Sequence, residues 1–460
     1  MGQLAPPLAR GFALPSTASG SELSLGLAPA LTPAGLDASP SFFHGFATHP
    51  RALAQGLVAL ADITATRYFQ FTPTNLRDPV LTAHGDRLRA EAFSADTSVY
   101  ARLDVLGEGL DGGEIAHGTT NVDIGRTTRQ ALALITRSDL LHLDVGRDGL
   151  TASTPAGTVN ERPVEMPDRW VRALGNAAEL HTALAPRFEL SAAQGRALIA
   201  GVPPVTAQGR SGWLIPTGGG ARIGSRPERD AVWVDGLNRL SGLKRLLAQQ
   251  TGMTVYGPSD GSKGAAAVEV ALPGARLILA LTEAATRGYS GEGALLTALA
   301  TPGVLDDAAL ISALLAFEPV IDVPRLALDA ALDESAVRAA LAVLASSGRV
   351  GWDIRDGAYF HRELPDDPNR VRQDNPRLVR ALGIAERQGA VRPASESETG
   401  AASEAWLVDG GSGVHRVSGG AGERSCTCTW YLRHGAGRGP CAHVLAVGIF
   451  EREIAPPERH

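Results

Sequence analysis

The sequence predicts an α+β fold spread over several domains, and three observations predict it. A chain of 460 residues is too long for one hydrophobic core. Runs of alternating apolar and polar residues, the pattern of half-buried strands, recur through 68–165 and again through 212–281, with helical spacing between them. All three cysteines, Cys426, Cys428 and Cys441, lie near the C-terminal end beside His443. The expected units are an irregular segment (1–40), a strand-rich α+β body (41–289) in one or two subdomains, a module of helices and a hairpin (290–365), an Arg-rich helix with an acidic linker (366–403), and a small C-terminal unit (404–460).

Residues 1–40 are rich in Ala, Leu, Pro, Ser and Gly, carry few charges and show no period, so they read as irregular. Residues 50–66 carry apolar positions at helical spacing. Val99 to Val105 alternates strictly, and Leu141–Val145 with Leu150–Thr154 reads as a hairpin around Asp148-Gly149. A helix is expected over Arg126–Thr136, and residues 166–200 read as helical. Strands then return at Gly212–Pro216, Ala231–Val234, Val268–Leu272 and Leu277–Leu281, interrupted by a helix over Gly236–Gln250.

The next stretch reads as helices at Ala294–Ala300, Asp307–Phe317 and Glu334–Ser346. Asp333 suits the last as N-cap, and Gly348 suits its end. A hairpin follows, Val350–Ile354 and Ala358–Arg362, around Asp356-Gly357. Helices followed by a hairpin resemble a winged helix. The would-be recognition helix offers one base, Arg338, where major-groove readers need Arg, Lys, Asn or Gln. A protein-docking winged helix is therefore favoured, although Arg349, Arg355, His361 and Arg362 of the wing could touch phosphate. Residues 369–390 read as a helix with a solvated arginine face, and 393–403 as an acidic linker of disordered composition.

The C-terminal unit carries the chemistry. In Cys426-Thr-Cys428 on a strand, alternate residues share a face and can hold one metal. Gly435, Gly437 and Gly439 let the chain double back to Cys441-Ala-His443, at the first turn of an apolar helix. Three thiolates and one imidazole complete a tetrahedral zinc site with no open position, which marks a structural zinc. The alternatives are weaker. Free thiols can be ordinary core residues, but clustering of every cysteine at ligand spacing argues against chance. A Cys-x-Cys disulfide is strained, and an odd cysteine count does not suit a secreted disulfide framework.

Cys-x-Cys followed by a spacer and Cys-x-His resembles the SWIM zinc finger, with Cys426, Cys428, Cys441 and His443 at the ligand positions. The resemblance implies a ββα finger whose zinc is structural and whose surface binds protein or nucleic acid. The rest of the chain is similar to bacterial SWIM zinc finger family proteins in Asn121–Gly125 and Tyr359–Pro365. That similarity implies partners such as MoxR-type AAA+ ATPases and von Willebrand factor A proteins.

Charge and motifs narrow the function further. Formal net charge is −6, so the whole chain is not built for general nucleic-acid binding. The finger differs locally: from Arg424 to Phe450 it has no acid, and Arg424, Arg433 and Arg438 could meet phosphate. The start of the chain lacks a signal-peptide pattern, and no uncharged apolar run approaches the ~18 residues that span a membrane. With thiolate ligands, this predicts a cytoplasmic protein. Enzyme motifs are near misses. Gly261-Ser-Lys263-Gly lacks the spacing and hydroxyl of a phosphate loop, and Gly288-Tyr-Ser290-Gly-Glu292 has Glu where a nucleophile elbow needs Gly. His361-Arg-Glu363 reads as a salt-linked strand face before an acid/base pair. The expectation is a non-enzymatic zinc-binding interaction protein, an adaptor for other proteins. The alternatives are a DNA- or RNA-binding protein using the finger and its arginines, and an enzyme with an unrecognised site in the body.

Overall fold

The two strand-rich stretches meet in one sheet. The structure, a computed structural model, describes residues 41–454 apart from 70–71, 74–78, 147, 165, 208, 290–302, 363, 365–375, 396–404, 421–423 and 435–438. Before residue 41 it describes four short strands, Thr17–Ser19, Glu22–Ser24, Ala30–Thr32 and Gly35–Asp37. These pair as two hairpins inside the segment read as irregular. Their composition carries no alternation that would have announced them.

The main sheet has eight antiparallel strands in the order His117–Asn121, Val80–His84, Arg87–Phe93, Val99–Leu106, Ala275–Leu281, Ala266–Leu272, Gly252–Pro258 and Leu184–Ser191. Each half contributes a three-strand meander and one edge strand. The halves join where Val99–Leu106 pairs with Ala275–Leu281, Leu103 opposite Leu277. A five-stranded antiparallel sheet, led by Ser41–Ala47 and including His142–Gly146 and Gly149–Thr154, lies beside it.

Leu184–Ser191 lies within the stretch read as helical. Helices do form on either side of it, Asp168–Thr182 and Ala192–Ala200. Pro186 within the intervening strand removes a backbone donor, which suits an edge position. The helix expected over 236–250 is a 3₁₀ segment, Leu237–Leu246. The helix expected at 294–300 lies outside the described residues.

The sheet's two faces differ in chemistry. On one, Leu88, Ala90, Val99, Ala101, Leu103, Val105, Leu277 and Leu279 form an aliphatic layer. Helix Pro50–Thr64 packs there, begun by a proline at its first position and rich in the strong helix formers Ala and Leu. Leu103 approaches the helix so closely that a Cβ on Gly56 would come within 2.9 Å of it. The other face carries Arg89, Glu91, Tyr100, Arg102, Asp104 and Arg276, and these too are buried.

The cover on that polar face is the hairpin Val350–Asp353/Ala358–His361, which follows helices Val304–Leu314, Val323–Ala330 and Glu334–Ser346. Asp333 caps the last helix, accepting the Ala336 N–H at 2.8 Å. Asp353 sits among three guanidiniums: Arg89, Arg102 and Arg276 each approach it at 2.8 Å. Asp104 completes the set, 2.9 Å from Arg102 and 2.7 Å from Arg276. Arg89 also stacks 3.8 Å from the centre of the Phe360 ring. Burial alone would raise the Asp353 carboxyl. The guanidiniums, Arg102 foremost, overcome that and hold it well below the usual carboxylate range. Alongside, Arg362 grips Glu91 through two bonds of 2.5 and 2.7 Å, and the Tyr100 hydroxyl donates to the same carboxylate at 2.5 Å.

Two wing residues read as available to phosphate are therefore committed elsewhere. Arg362 is buried on Glu91, and His361 is buried with its Nδ1 accepting the Phe317 N–H at 2.9 Å. That bond holds Phe317 in the left-handed region (φ 62°), which is uncommon for a bulky residue. The hairpin's carbonyl at His361 accepts from His84 Nε2 at 2.8 Å. Arg355 is half-exposed and 3.6 Å from Glu269.

Asp353→Asn keeps the shape and removes the charge that three buried guanidiniums share. The expected destabilisation is about 3–5 kcal/mol, read as a lowered denaturant midpoint; a midpoint within error of the parent would refute this role. Burial also pulls the His361 and His181 imidazoles down to about 3. An unfolded histidine titrates near ~6.5, so between those values the unfolded chain binds protons that the folded one does not. Stability is thus intact above pH ~6.5 and falls as pH drops toward about 3, by roughly 3 kcal/mol per histidine at pH ~4. Urea midpoints measured from pH ~7 to ~4.5 should fall steadily, and a flat series would contradict the buried neutral state.

Candidate metal centre

The C-terminal sheet has four antiparallel strands in sequence order, Val391–Pro393, Ala405–Asp409, Val414–Ser418 and Ser425–Cys426. The linker expected over 393–403, of which 396–403 lie outside the described residues, falls between two paired strands of this sheet, Val391–Pro393 and Ala405–Asp409. Val408 and Val417 are fully buried beneath it. Helix Ala442–Ile454 packs on its strands, and helix Pro376–Ala385 packs along that helix. The buried side chains of this unit run on into those of Val304–Tyr359 as one continuous apolar core.

Three local structures present the ligands. Cys426 ends the last strand, opposite Val417. Cys428 precedes the short helix Thr429–His434, its carbonyl accepting the Leu432 N–H at 3.0 Å. Cys441 precedes Ala442–Ile454, its carbonyl accepting the Leu445 N–H at 3.0 Å, and His443 lies in that helix's first turn. Two thiols therefore sit at helix N-termini, where backbone N–H groups favour thiolate. The Cys428 N–H donates to Cys426 Sγ and the Tyr431 N–H to Cys428 Sγ, both at 3.4 Å.

The four donor atoms lie within 4.8 Å of one another, and all four residues are buried. His443 Nδ1 faces the sulfurs, 3.9 Å from Cys426 Sγ. A tetrahedron with Zn–S bonds of ~2.3 Å has edges of roughly 3.7 Å, so a small contraction closes the set on one ion. Without a cation, three crowded thiols resist joint ionisation. The Cys426 contact draws Cys441 down to about 4, while Cys426 itself is pushed up, chiefly by Cys441 and by burial. Zinc removes that conflict, because each thiolate then faces a positive charge. The donor set fits one structural zinc ion with Cys426, Cys428, Cys441 and His443 as ligands.

Residues 409–447 match the SWIM zinc finger family model. The match spans all four ligands together with the turn and the strand Val414–Ser418 ahead of them. No curated protein matches the chain. Among solved structures, the chain is similar to the proliferating cell nuclear antigen of Entamoeba histolytica, at 12% identity over 53% of this chain and 99% of that one, with a TM-score of 0.37. It is also similar to the PCNA2–PCNA3 complex of Sulfolobus tokodaii, at 10% identity over 52% of this chain and 98% of that one, with a TM-score of 0.38. These likenesses are too slight to assign fold or function.

The arginines around the SWIM finger divide. Arg424 is largely buried and ion-paired with Glu451. Arg433 is exposed on Thr429–His434. Arg438 lies outside the described residues, as do Arg370 and Arg372 upstream. Arg380 and Arg387, expected on a solvated helix face, are exposed and also donate to the carbonyls of Gly410 and Asp409 at 3.3 and 2.5 Å.

Gly410 is a site residue with no signal of its own in the sequence. A Cβ there would fall 2.4 Å from His443 Nε2. The imidazole is backed by bare backbone, which fixes Nδ1 toward the sulfurs. Gly410→Ala should displace His443, so bound zinc should fall well below one per chain by elemental analysis after dialysis. Full retention of zinc would show that the ring has room to move.

Proposed function

We propose that this protein is a non-enzymatic adaptor for other proteins, in which one structural zinc maintains the SWIM finger as a contact surface. The observation that carries this reading is the closed donor set. Three sulfurs and one imidazole nitrogen, all from buried residues, fill four coordination positions and leave none for a substrate or an activated water.

We propose that the module expected over 290–365 is a winged helix that docks on protein. Its third helix, Glu334–Ser346, buries Val337, Ala340, Leu341 and Leu344, and its base, Arg338, is 3.2 Å from Glu334. That leaves little to read base edges. Its wing lies against the body sheet through Asp353 and Arg362. Both features support protein contact over groove recognition. Resemblance to bacterial SWIM proteins suggests a MoxR-type AAA+ ATPase or a von Willebrand factor A protein as partner, in the cytoplasm. Among the described residues no helix is long and apolar enough to cross a membrane.

The test has two arms. Purified protein is assayed against a purified MoxR-type AAA+ ATPase, with and without prior zinc removal, and against single- and double-stranded DNA and RNA at about 50 and about 200 mM salt. The adaptor reading expects zinc-dependent binding of the ATPase and weak binding to all four nucleic acids. Nucleic-acid binding that falls steeply with salt and is lost in Arg433→Ala would replace it with the nucleic-acid reading.

A further inference from the structure

The segment that matches the SWIM finger begins at residue 409, yet a residue well upstream spans both of its ligand-bearing turns. Arg377 stands in the first turn of helix Pro376–Ala385. Its Nη1 donates to the carbonyl of Pro440 at 2.9 Å. Pro440 is bonded directly to Cys441. The same guanidinium lies over the indole of Trp430, 4.4 Å from the ring centre. Trp430 is in the short helix that Cys428 begins. One planar cation is thus held between the turn after Cys428 and the turn before Cys441.

The geometry points to Arg377 as a positioning residue for the zinc site, an outer brace that fixes the separation of Cys428 and Cys441. The inference rests on the zinc reading of the donor set. Four features support it. The two contacts use different properties of one side chain, a directed N–H and a flat cationic face, and lysine supplies only part of the pair. The brace stands on a rigid support, because Leu378, Ala381 and Ile384 of its helix are buried in the core shared with Leu445, Ala446 and Ile449. The two turns belong to different helices, Thr429–His434 and Ala442–Ile454, so a contact from a third helix ties them together. Finally, Arg380 from the same helix bonds Gly410, the backbone that backs His443. A single helix outside the matched segment thereby reaches the surroundings of three of the four ligands. Groups that orient metal ligands without touching the metal commonly change affinity about 10–100-fold when removed.

The experiment is competitive zinc transfer from the full-length protein to a chromogenic chelator, for the parent, Arg377→Ala, Arg377→Lys and Arg433→Ala. Arg433 is exposed and serves as the control for loss of a nearby positive charge. The expected result is one zinc per chain in each, an affinity loss of about 10-fold or more in Arg377→Ala, a smaller loss in Arg377→Lys, and none in Arg433→Ala. Parent-like affinity in Arg377→Ala overturns the inference while leaving the zinc site standing. Equal losses in Arg377→Ala and Arg433→Ala overturn it too, because general charge would then explain the effect. Should Arg377→Ala fail to fold, Arg377→Lys decides alone: parent-like affinity refutes the brace. A parent protein that takes up no zinc defeats the underlying zinc reading instead, an outcome distinct from the other two.

Discussion

A carboxylate sealed under a β-sheet is among the more expensive features a protein can carry, and Asp353 is one. It is tolerable because three guanidiniums close on it at hydrogen-bond distance, and those guanidiniums in turn divide their charge between it and Asp104. The dependence is mutual. Without the hairpin, Arg89, Arg102 and Arg276 would keep Asp104 on their own face but lose the carboxylate that all three approach at 2.8 Å. Without the sheet, the hairpin has no partner for its acid. Stacking of Arg89 on Phe360 and the Arg362–Glu91 pair place the same two strands again by independent contacts. Such an interface contributes less to stability than an apolar one of equal area, but it admits few alternative registers.

This polar layer explains what the sequence disclosed and what it hid. Alternation in Val99–Val105 identifies which side chains share a face, and the strand follows it. It does not say that both faces are covered. A strand with Arg102 and Asp104 on one side reads as solvated on that side, and only the hairpin far along the chain makes it otherwise. Elements governed by their own residues were legible: the helix capped by Asp333, the hairpin at Asp356-Gly357, and two strands of the second meander, Ala266–Leu272 and Ala275–Leu281, though not its third, Gly252–Pro258. Leu184–Ser191 was not, because its pairing with Gly252–Pro258 overrode a local pattern that suited helix.

The zinc site was legible for a chemical reason. Thiols and imidazoles are scarce, and their spacing alone specifies a donor set. Its supports were hidden because they are made of common groups: a glycine whose lack of a side chain matters only beside His443, and arginines whose carbonyl partners lie on the other side of a loop. Arginine in a helix is the usual sign of solvent. Here the guanidiniums of Arg377 and Arg380 satisfy backbone oxygens, and the helix that carries them packs on the finger's own helix.

The seam between the two halves of the main sheet bears on how the chain is made. Val99–Leu106 acquires its second neighbour only when Ala275–Leu281 has emerged, and Asp353, the acid that joins Asp104 on Arg102, arrives later still. During synthesis the first meander therefore presents an unpaired strand edge. Such distant pairings close slowly, and open edges recruit other chains. Ala275–Leu281, the last strand of the main sheet to be made, is the one that closes that edge.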